Sequence, residues 1–145
     1  DKTSKVKVEL CVSKANLDDY KGLILIGGYA MDRLRYQASI QGARNTAPAV
    51  ELLRAAVARM DAGSLAIGTI CHSLWLFCAD PSLLKGRKVT CAHNIICDVE
   101  NAGGEVVVVN GETVDTHTDG LLITGRHPGS VDAFDDLFLK TIQAI

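Results

Sequence analysis

The chain alternates between short, mainly apolar runs and longer segments in which apolar residues recur at helical spacing. Residues 22–26 form one apolar run, which Gly27-Gly28 ends, and residues 64–70 form a second, mostly apolar segment. Short apolar runs bounded by glycine or polar turns are typical of strands buried on both faces. Residues 6–12 alternate apolar and polar side chains, which is also a strand-like pattern. The first half of the chain is therefore predicted to contribute several strands.

Other segments have the pattern of helices. Pro48 suits a first helical position, and apolar residues then recur at helical spacing as far as Gly63, which suits a C-terminal cap. Residues 72–79 and 98–102 predict two shorter helices. Ser130 is a good N-cap for a last helix. The apolar face of that helix is predicted to comprise Val131, Phe134, Phe138, Ile142 and Ile145.

Further strands are predicted over residues 88–91, 105–109 and 121–124. Asn110-Gly111 is a hairpin turn signal. Strands that alternate with helices predict a single α/β domain over residues 1–145, with a doubly wound (flavodoxin-like), mainly parallel sheet sandwiched by helices. Because ligands bind beyond the carboxyl ends of the strands in such sheets, we expect the functional site near the Gly27-Gly28 turn.

Composition and charge exclude several classes of function. Lys and Arg number 15 against 17 Asp and Glu, a formal charge of −2, so the chain lacks the basic field that nucleic acid or an anionic membrane attracts. No apolar run approaches the roughly 18 residues of a membrane-spanning helix, and no signal peptide opens the sequence, so we expect a cytoplasmic protein. The five cysteines are an odd number in apolar segments, which favours reduced thiols.

Cys71 is the strongest candidate for chemistry because it falls where a predicted strand meets a predicted helix. A sharp strand-to-helix turn exposes the nucleophile of many hydrolases in the same way. The free N–H groups and the positive dipole end of a following helix favour the thiolate, which is the nucleophilic form. The N–H groups of His72 and of the Gly27-Gly28 turn are placed to hold the negative oxygen of a tetrahedral intermediate. A buried structural thiol is the alternative interpretation of Cys71.

Five segments of the chain resemble, in the same order, motifs of one protein family. They are DYKGLILIGG at 19–28, ICHSLWL at 70–76, LLKGRKVT at 83–90, DVENAGG at 98–104 and LITGRHPG at 122–129. The chain is therefore similar to the ThiJ/PfpI family, also called the DJ-one/PfpI superfamily, whose members are related to class I glutamine amidotransferases. The resemblance implies the α/β fold predicted above and an activity like that of the family's intracellular protease- or amidase-like members. It also implies that no cofactor or metal is needed.

By this resemblance, Cys71 is the nucleophile and His72 is its general base and acid. In peptidase-like members a carboxylate from a second subunit orients the histidine, and the matching residue here is Asp32, one methylene shorter than the family's glutamate. This implies a homodimer or a higher homo-oligomer. Alternatively, Asp32 is a solvated carboxylate paired with Arg33 or Arg35. Oxyanion or substrate-binding roles are expected for Gly27, Gly28, Ser73 and His93.

The chain also departs from the family's pattern. Members begin with a buried strand and a D-G-F-E-D-x-E motif, whose glutamate hydrogen-bonds the nucleophilic sulfur, and nothing before residue 6 matches it. We therefore expect that an N-terminal segment of about 40 residues has been removed or belongs to a separate piece. Ile26 replaces the family's proline. Ser73 replaces a glycine and is expected to add a hydroxyl at the pocket floor.

The remaining candidates carry weaker signals. Cys91, His93 and Cys97 lack the paired spacing of structural zinc sites, so no metal site is predicted. Arg126 is expected to tie loops together rather than to touch substrate, and no role is assigned to His127.

Three functions remain open for Cys71. The favoured one is covalent catalysis on a small-molecule or peptide substrate by a peptidase- or amidase-like hydrolase. The second is a cofactor-free glyoxalase III or deglycase, which would form a hemithioacetal with methylglyoxal-type aldehydes. The third, from a different class, is a redox-sensing or chaperone-like stress-response protein with an oxidisable thiol. None of these involves nucleic acid or a membrane.

Overall fold

The computed structural model describes residues 7–37 and 42–145. Its strands and helices, in chain order, are β1 (Gly22–Leu25), α1 (Ala30–Leu34), α2 (Pro48–Asp61), β2 (Ala66–Ile70), β3 (Lys88–Val89), α3 (Ile96–Asn101), β4 (Glu105–Val106), β5 (Val108–Val109), β6 (Glu112–Thr113), β7 (Thr116–Asp119), β8 (Leu122–Gly125) and α4 (Val131–Gln143). Short 3-10 turns lie at Val12–Lys14, Leu17–Asp19, Ser73–Trp75, Phe77–Ala79, Pro81–Leu83, His93–Ile95 and Pro128–Ser130. None of the described helices is long and apolar enough to cross a membrane.

Four of the strands form one sheet in the order β1-β2-β8-β7. The central strand β2 is parallel to β1, with Ile67 opposite Leu23, and parallel to β8, with Ile67 opposite Leu122. Strand β7 is antiparallel to β8. The sheet is therefore mainly parallel, as predicted. The carboxyl ends of β1, β2 and β8 meet along one border, which is where such sheets place their ligands.

Helices cover both faces of this sheet because successive residues of a strand point to opposite sides. On one face, Ile67 packs with the buried apolar residues of α2. On the other face, Ala66 packs with Phe134 and Phe138 of α4. Gly68 leaves room for that helix, since a Cβ atom there would lie 2.7 Å from the Phe134 ring. The predicted α/β sandwich is confirmed.

Strand β1 is less buried than its sequence suggests. The apolar run at 22–26 predicts a strand buried on both faces, but Ile24 is 40% and Ile26 75% exposed. The reason is that β1 is the first strand of the sheet and pairs only with β2 among the described residues. Residues 7–11 form no strand, because alternation specifies a face and not a pairing partner. Val6, which begins the predicted strand, lies outside the described residues.

The segment after Cys71 is not the α-helix that its apolar residues predict. It forms two 3-10 turns, in which Trp75 N–H donates to His72 O at 3.0 Å and Leu76 N–H donates to Ser73 O at 3.1 Å. The backbone becomes extended at Asp80, the residue before a proline, so the segment is too short for α-helical bonds to accumulate. No α-helix therefore begins directly after Cys71, so a helix dipole does not favour its thiolate in the way that the sequence predicted.

The predicted strand at 105–109 divides into two short strands with different partners. Strand β4 is parallel to β3, whereas β5 is antiparallel to β6. The β5–β6 turn is Asn110-Gly111, with φ of 53° and 85°, which confirms the predicted hairpin. Strand β7 was not predicted, because its sequence Thr-His-Thr-Asp is polar and its residues are mostly half-exposed.

The helices α2, α3 and α4 confirm the predicted positions with small shifts of boundary. Pro48 begins α2, and Gly63 follows it with φ of 82°. At the last helix, Ser130 makes no side-chain capping bond, and its hydroxyl oxygen is buried without a partner among the described residues. Val131 is 41% exposed rather than part of the apolar face, since that face is centred on Phe134 and Phe138.

Candidate active site

Cys71 lies at a strained turn directly after β2. Its φ of 63° is in the left-handed region, which non-glycine residues rarely adopt outside functional turns. Hydrogen bonds hold the turn from both sides: Cys71 N–H donates to Gly125 O at 2.9 Å, and Cys71 O accepts from Ala92 N–H at 3.1 Å. The residue is half-buried. The sharp turn predicted for the nucleophile is therefore present, although 3-10 turns follow it.

Gly27 allows β1 to end against this turn. A Cβ atom on Gly27 would lie 2.6 Å from Ile70 O, 2.9 Å from Cys71 Cβ and 3.1 Å from His72 N. Only a residue without a side chain fits this close approach. Gly28 has φ of 84° and open space around it, so glycine is needed there for the backbone conformation of the turn and not for a close contact. Gly27 thus lies beside the His72 amide, the N–H that we expected to contribute to an oxyanion hole.

The thiol and its neighbouring imidazole are in contact. Cys71 Sγ is 3.0 Å from His72 Nδ1, a distance at which a proton can pass between them. The His72 ring clusters with two aromatic side chains: its centroid is 5.1 Å from that of Tyr29 and 4.9 Å from that of Trp75, and those two are 5.8 Å apart. Its other nitrogen, Nε2, is buried and has no hydrogen-bond partner among the described residues. The ring is therefore held in place by packing, with one polar atom unsatisfied.

Asp32 does not contact His72 within one chain. Its Oδ1 accepts hydrogen bonds from Arg35 Nη2 at 2.6 Å and from Arg35 Nε at 2.9 Å. Arg35 also lies over the Trp75 ring, 5.8 Å from its centroid. Of the two interpretations left open by the sequence, the pairing with Arg35 is present in the single chain, and a role across a subunit boundary stays a prediction.

Ser73 differs from its predicted place at the pocket floor. It is fully buried, and its hydroxyl lies 2.5 Å from Leu25 O and 2.6 Å from Ile70 O. The hydroxyl oxygen also accepts from Ile70 N–H at 3.2 Å. These contacts occupy the side chain and direct it toward the strand ends, because a small hydroxyl at a turn bonds the nearest backbone groups. Ser73 is a structural link beneath the site.

A cavity of about 320 Å³ opens beside the thiol. Its lining residues are Cys71, His72, Ala92, His93, Asn94, Thr113, Arg126 and His127. His93 was expected there, but sequence reasoning assigned no site role to Arg126 or His127. A usable signal existed, because both residues directly follow β8, whose carboxyl end borders that of β2. Arg126 also ties loops together, as expected, since Nη1 donates to Thr113 O at 3.1 Å.

The other cysteines differ from Cys71 in their surroundings. Burial raises the pKa of the Cys91 thiol to about 12 and that of the Cys78 thiol to about 11. Cys11 and Cys97 are exposed. Cys71 is therefore the described thiol that combines a strained turn, a neighbouring imidazole and a cavity. Across the part of the chain that the structure describes, no three His, Cys, Asp or Glu side chains group as a metal site.

The comparisons with known proteins agree with this fold. Residues 1–141 match the sequence model of the DJ-1/PfpI family. The chain is 33% identical over 138 residues to Deglycase PfpI of Pyrococcus furiosus, which covers 95% of this chain and 72% of that protein. It is 31% identical to an uncharacterized protein of Staphylococcus haemolyticus, which covers 97% of this chain and 72% of that protein.

Solved structures show the same fold. The DJ-1/ThiJ/PfpI-like and ferritin-like two-domain protein of Anabaena variabilis matches with a TM-score of 0.73 at 25% identity, over 91% of this chain and 32% of that one. A ThiJ/PfpI domain protein of Brachyspira murdochii matches with a TM-score of 0.76 at 12% identity, over 97% of this chain and 70% of that one. The cysteine turn, the cavity beside it and these similarities lead to one conclusion: the chain belongs to the DJ-1/PfpI family.

Proposed function

We propose that this chain is a cofactor-free thiol enzyme that acts on the carbonyl carbon of small aldehydes, in the manner of a glyoxalase or deglycase. The observation that carries the proposal is the 3.0 Å contact of Cys71 Sγ with His72 Nδ1 at a strained turn beside a cavity. The name of the relative at 33% identity, Deglycase PfpI, supports aldehyde-derived substrates over peptides.

The chemistry requires only the groups that line the cavity. The Cys71 sulfur donates an electron pair to the aldehyde carbon, and the carbonyl oxygen takes the proton that His72 received from the thiol, which gives a hemithioacetal. With a 2-oxoaldehyde, His72 then takes the proton of the former aldehyde carbon, which gives an enediol as the neighbouring carbonyl oxygen gains a proton. His72 returns the proton to the neighbouring carbon, and the former hemithioacetal hydroxyl loses its own proton to become the thioester carbonyl. This internal redox step yields the thioester of a 2-hydroxy acid without an external oxidant. Water hydrolyses the thioester and restores the thiol.

The size of the cavity favours a small carbonyl compound. Its volume of about 320 Å³ is near the lower end of the roughly 300–1,000 Å³ range for small-molecule sites. An extended peptide would need a groove that continues on both sides of the thiol. We therefore rank aldehyde chemistry above the peptidase activity that the sequence favoured.

Amide hydrolysis is the second candidate, and one observation supports it. His72 Nε2 is buried and has no hydrogen-bond partner within the described part of the chain, and a carboxylate there would orient the ring and stabilise its protonated form. The Asp32 side chain is 52% exposed, so a second copy of the chain could receive it. In this arrangement the enzyme is a homodimer and Asp32 of one copy completes the site of the other.

Replacement of Cys71 tests the aldehyde chemistry and the assignment of the nucleophile. We expect Cys71→Ser to abolish consumption of methylglyoxal and formation of lactate, measured by chromatography, whereas Cys97→Ser on an exposed thiol retains the wild-type rate. Aldehyde turnover that persists in Cys71→Ser protein would disprove the assignment of the nucleophile.

The oligomeric state tests the second candidate. Amide hydrolysis through a shared triad requires a dimer in solution, and Asp32→Asn should then reduce amide turnover by roughly 10³- to 10⁴-fold. Amide turnover by a monomer, measured by size-exclusion chromatography with light scattering, contradicts the triad.

A further inference from the structure

Two hydrogen-bond donors face each other at the mouth of the Cys71 cavity. Gly129 N–H donates to His127 Nδ1 at 2.9 Å, so this ring nitrogen carries no proton and Nε2 must carry it. His127 Nε2 lies 3.3 Å from Arg126 Nη2, which can only donate. Neither nitrogen can accept from the other. The pair therefore presents N–H groups that need an acceptor.

Arg126 has further donors that the protein does not use. Its Nη1 donates to Thr113 O at 3.1 Å, and its Nη2 pairs with Asp115 Oδ1 at 2.7 Å. Its Nε is buried and has no partner among the described residues. A guanidinium offers five N–H groups; the two contacts take one hydrogen each, the Nε hydrogen is buried, and one hydrogen on each of Nη1 and Nη2 is left for another acceptor. The Asp115 side chain is 66% exposed, which means that water screens much of its charge.

No acidic side chain is among the described residues that line the cavity, and the Asp115 carboxylate, which pairs with Arg126, is largely exposed. The described lining residues include one arginine and three histidines. The His127 side chain is exposed, and the hydrogen bond from Gly129 N–H to its Nδ1 restrains the ring. Restrained donors bind an anion with little loss of conformational freedom.

We infer that Arg126 and His127 form an anion subsite beside Cys71 and that the substrate is a small carbonyl compound carrying a carboxylate. Two neighbouring N–H donors match the two oxygens of a carboxylate, and binding there would hold the adjoining carbonyl carbon within the thiol's cavity. The substrate class rests on the proposed function, whereas the anion subsite can be tested without any turnover.

The test compares two alkylating reagents of similar shape on the full chain. Iodoacetate carries a carboxylate and iodoacetamide is its neutral counterpart, and mass spectrometry reports the rate at each cysteine. The exposed Cys97 supplies the reference rate for both reagents within the same molecule. We expect the iodoacetate-to-iodoacetamide rate ratio at Cys71 to exceed that at Cys97 by about tenfold, the effect of one charge-assisted hydrogen bond.

Substitutions at His127 locate the effect. In His127→Asn the amide oxygen can still accept from Gly129 N–H, but the Nε2 donor is lost, so the ratio at Cys71 should approach that at Cys97. His127→Asp keeps the acceptor and adds a negative charge, and the ratio should fall below that at Cys97. His117→Asn, which alters a histidine of β7 outside the cavity lining, is the control and should retain the wild-type ratio.

Each outcome decides the matter. The anion subsite is overturned if the iodoacetate-to-iodoacetamide rate ratio is the same at Cys71 and Cys97 in the wild type. It is also overturned if the ratio at Cys71 stays high in His127→Asp. Failure of both reagents to modify Cys71 also overturns it, because the subsite would then lie out of reach of the thiol. A high Cys71 ratio in a protein without aldehyde turnover supports the subsite and refutes the proposed enzyme. Turnover without a raised ratio refutes the subsite alone.

Discussion

Gly27 occupies a position where any side chain would collide with the turn that carries the nucleophile. The carbonyl of Ile70 and the Cβ of Cys71 both lie within 3 Å of where its own Cβ would be, at 2.6 and 2.9 Å. The end of β1 and the turn after β2 therefore approach as closely as backbones can. This contact fixes Cys71 relative to β1 without any side-chain hydrogen bond.

Gly27→Ala should displace the Cys71 turn. We expect a loss of about 1–3 kcal/mol in the free energy of unfolding, because the new methyl group overpacks the contact, together with slower alkylation of Cys71 by iodoacetamide. Gly63→Ala is the matched control: Gly63 has φ of 82° and open space around it, so stability should fall by about 1–2 kcal/mol with the Cys71 rate unchanged. A Gly27→Ala protein with wild-type stability and Cys71 reactivity would contradict this account.

Sequence motifs identified the candidate nucleophile and the glycine turn beside it, but not all of the residues that line the cavity. Cys71 and Gly27 were predictable because a turn at a strand end has a strong local signature. The contacts of Ser73 were not, because a hydroxyl has many possible partners and only the folded chain selects among them. Arg126 and His127 were missed although they follow a predicted strand, because the sequence does not show which strand ends lie side by side. Asp32 shows the same limit, since its position in a motif does not specify the arginine that binds it.

At the scale of elements, Ser73 connects the ends of two neighbouring strands. Its hydroxyl lies within hydrogen-bond distance of Leu25 O in β1 and Ile70 O in β2, and it accepts from Ile70 N–H. One hydroxyl hydrogen serves one of these carbonyls at a time. The side chain is fully buried, so water cannot replace these bonds.

Ser73→Ala should therefore destabilise the sheet border near the site. We expect a loss of about 1–3 kcal/mol in the free energy of unfolding, measured with urea, because buried backbone groups lose their partner. Ser64→Ala serves as the comparison: this exposed hydroxyl donates to Arg59 O at 3.1 Å, and its removal should change stability by no more than about 0.5 kcal/mol. Equal effects of the two substitutions would show that the Ser73 link is unimportant.

The elements that the sequence predicted well are those with a long or sharply bounded pattern. Helix α2 has proline at its start and glycine after its end, and the Asn110-Gly111 turn has the φ values that its residues favour. Strand β7 was missed and residues 7–11 were predicted as a strand, because pairing depends on neighbours that are distant in sequence. The exposure of β1 follows from the same limitation.

At the scale of the whole molecule, two buried thiols link stability to pH. Cys91 is fully buried in the core on the α2 face, and desolvation raises its pKa from 9.0 to about 12. Desolvation likewise raises the pKa of Cys78 to about 11. Above pH 9 the unfolded chain can ionise these thiols and the folded chain cannot. Their contribution to stability is therefore complete below pH 9 and is lost as the pH rises toward 11 and 12.

Cys91→Ala should make the protein less sensitive to alkaline pH. We expect the wild-type free energy of unfolding to fall more steeply above pH 9, by up to about 1.4 kcal/mol per pH unit for this thiol, than that of the variant. Calorimetric melting curves between about pH 8 and pH 10.5 measure the two slopes, and the slope is unaffected by the cavity that alanine leaves. Parallel slopes would mean that Cys91 ionises normally in the fold.

The sequence contains one tryptophan, and its ring centroid is 4.9 Å from that of His72. We expect a positive charge on the imidazole at this separation to change indole fluorescence, because the Coulomb interaction of a charge with a nearby ring is strong where water is partly excluded. The emission of Trp75 is therefore an intrinsic optical reporter of the protonation state of the candidate base. Proton transfer from the thiol, adduct formation at the sulfur or the approach of a second subunit to His72 could each be followed in unlabelled protein.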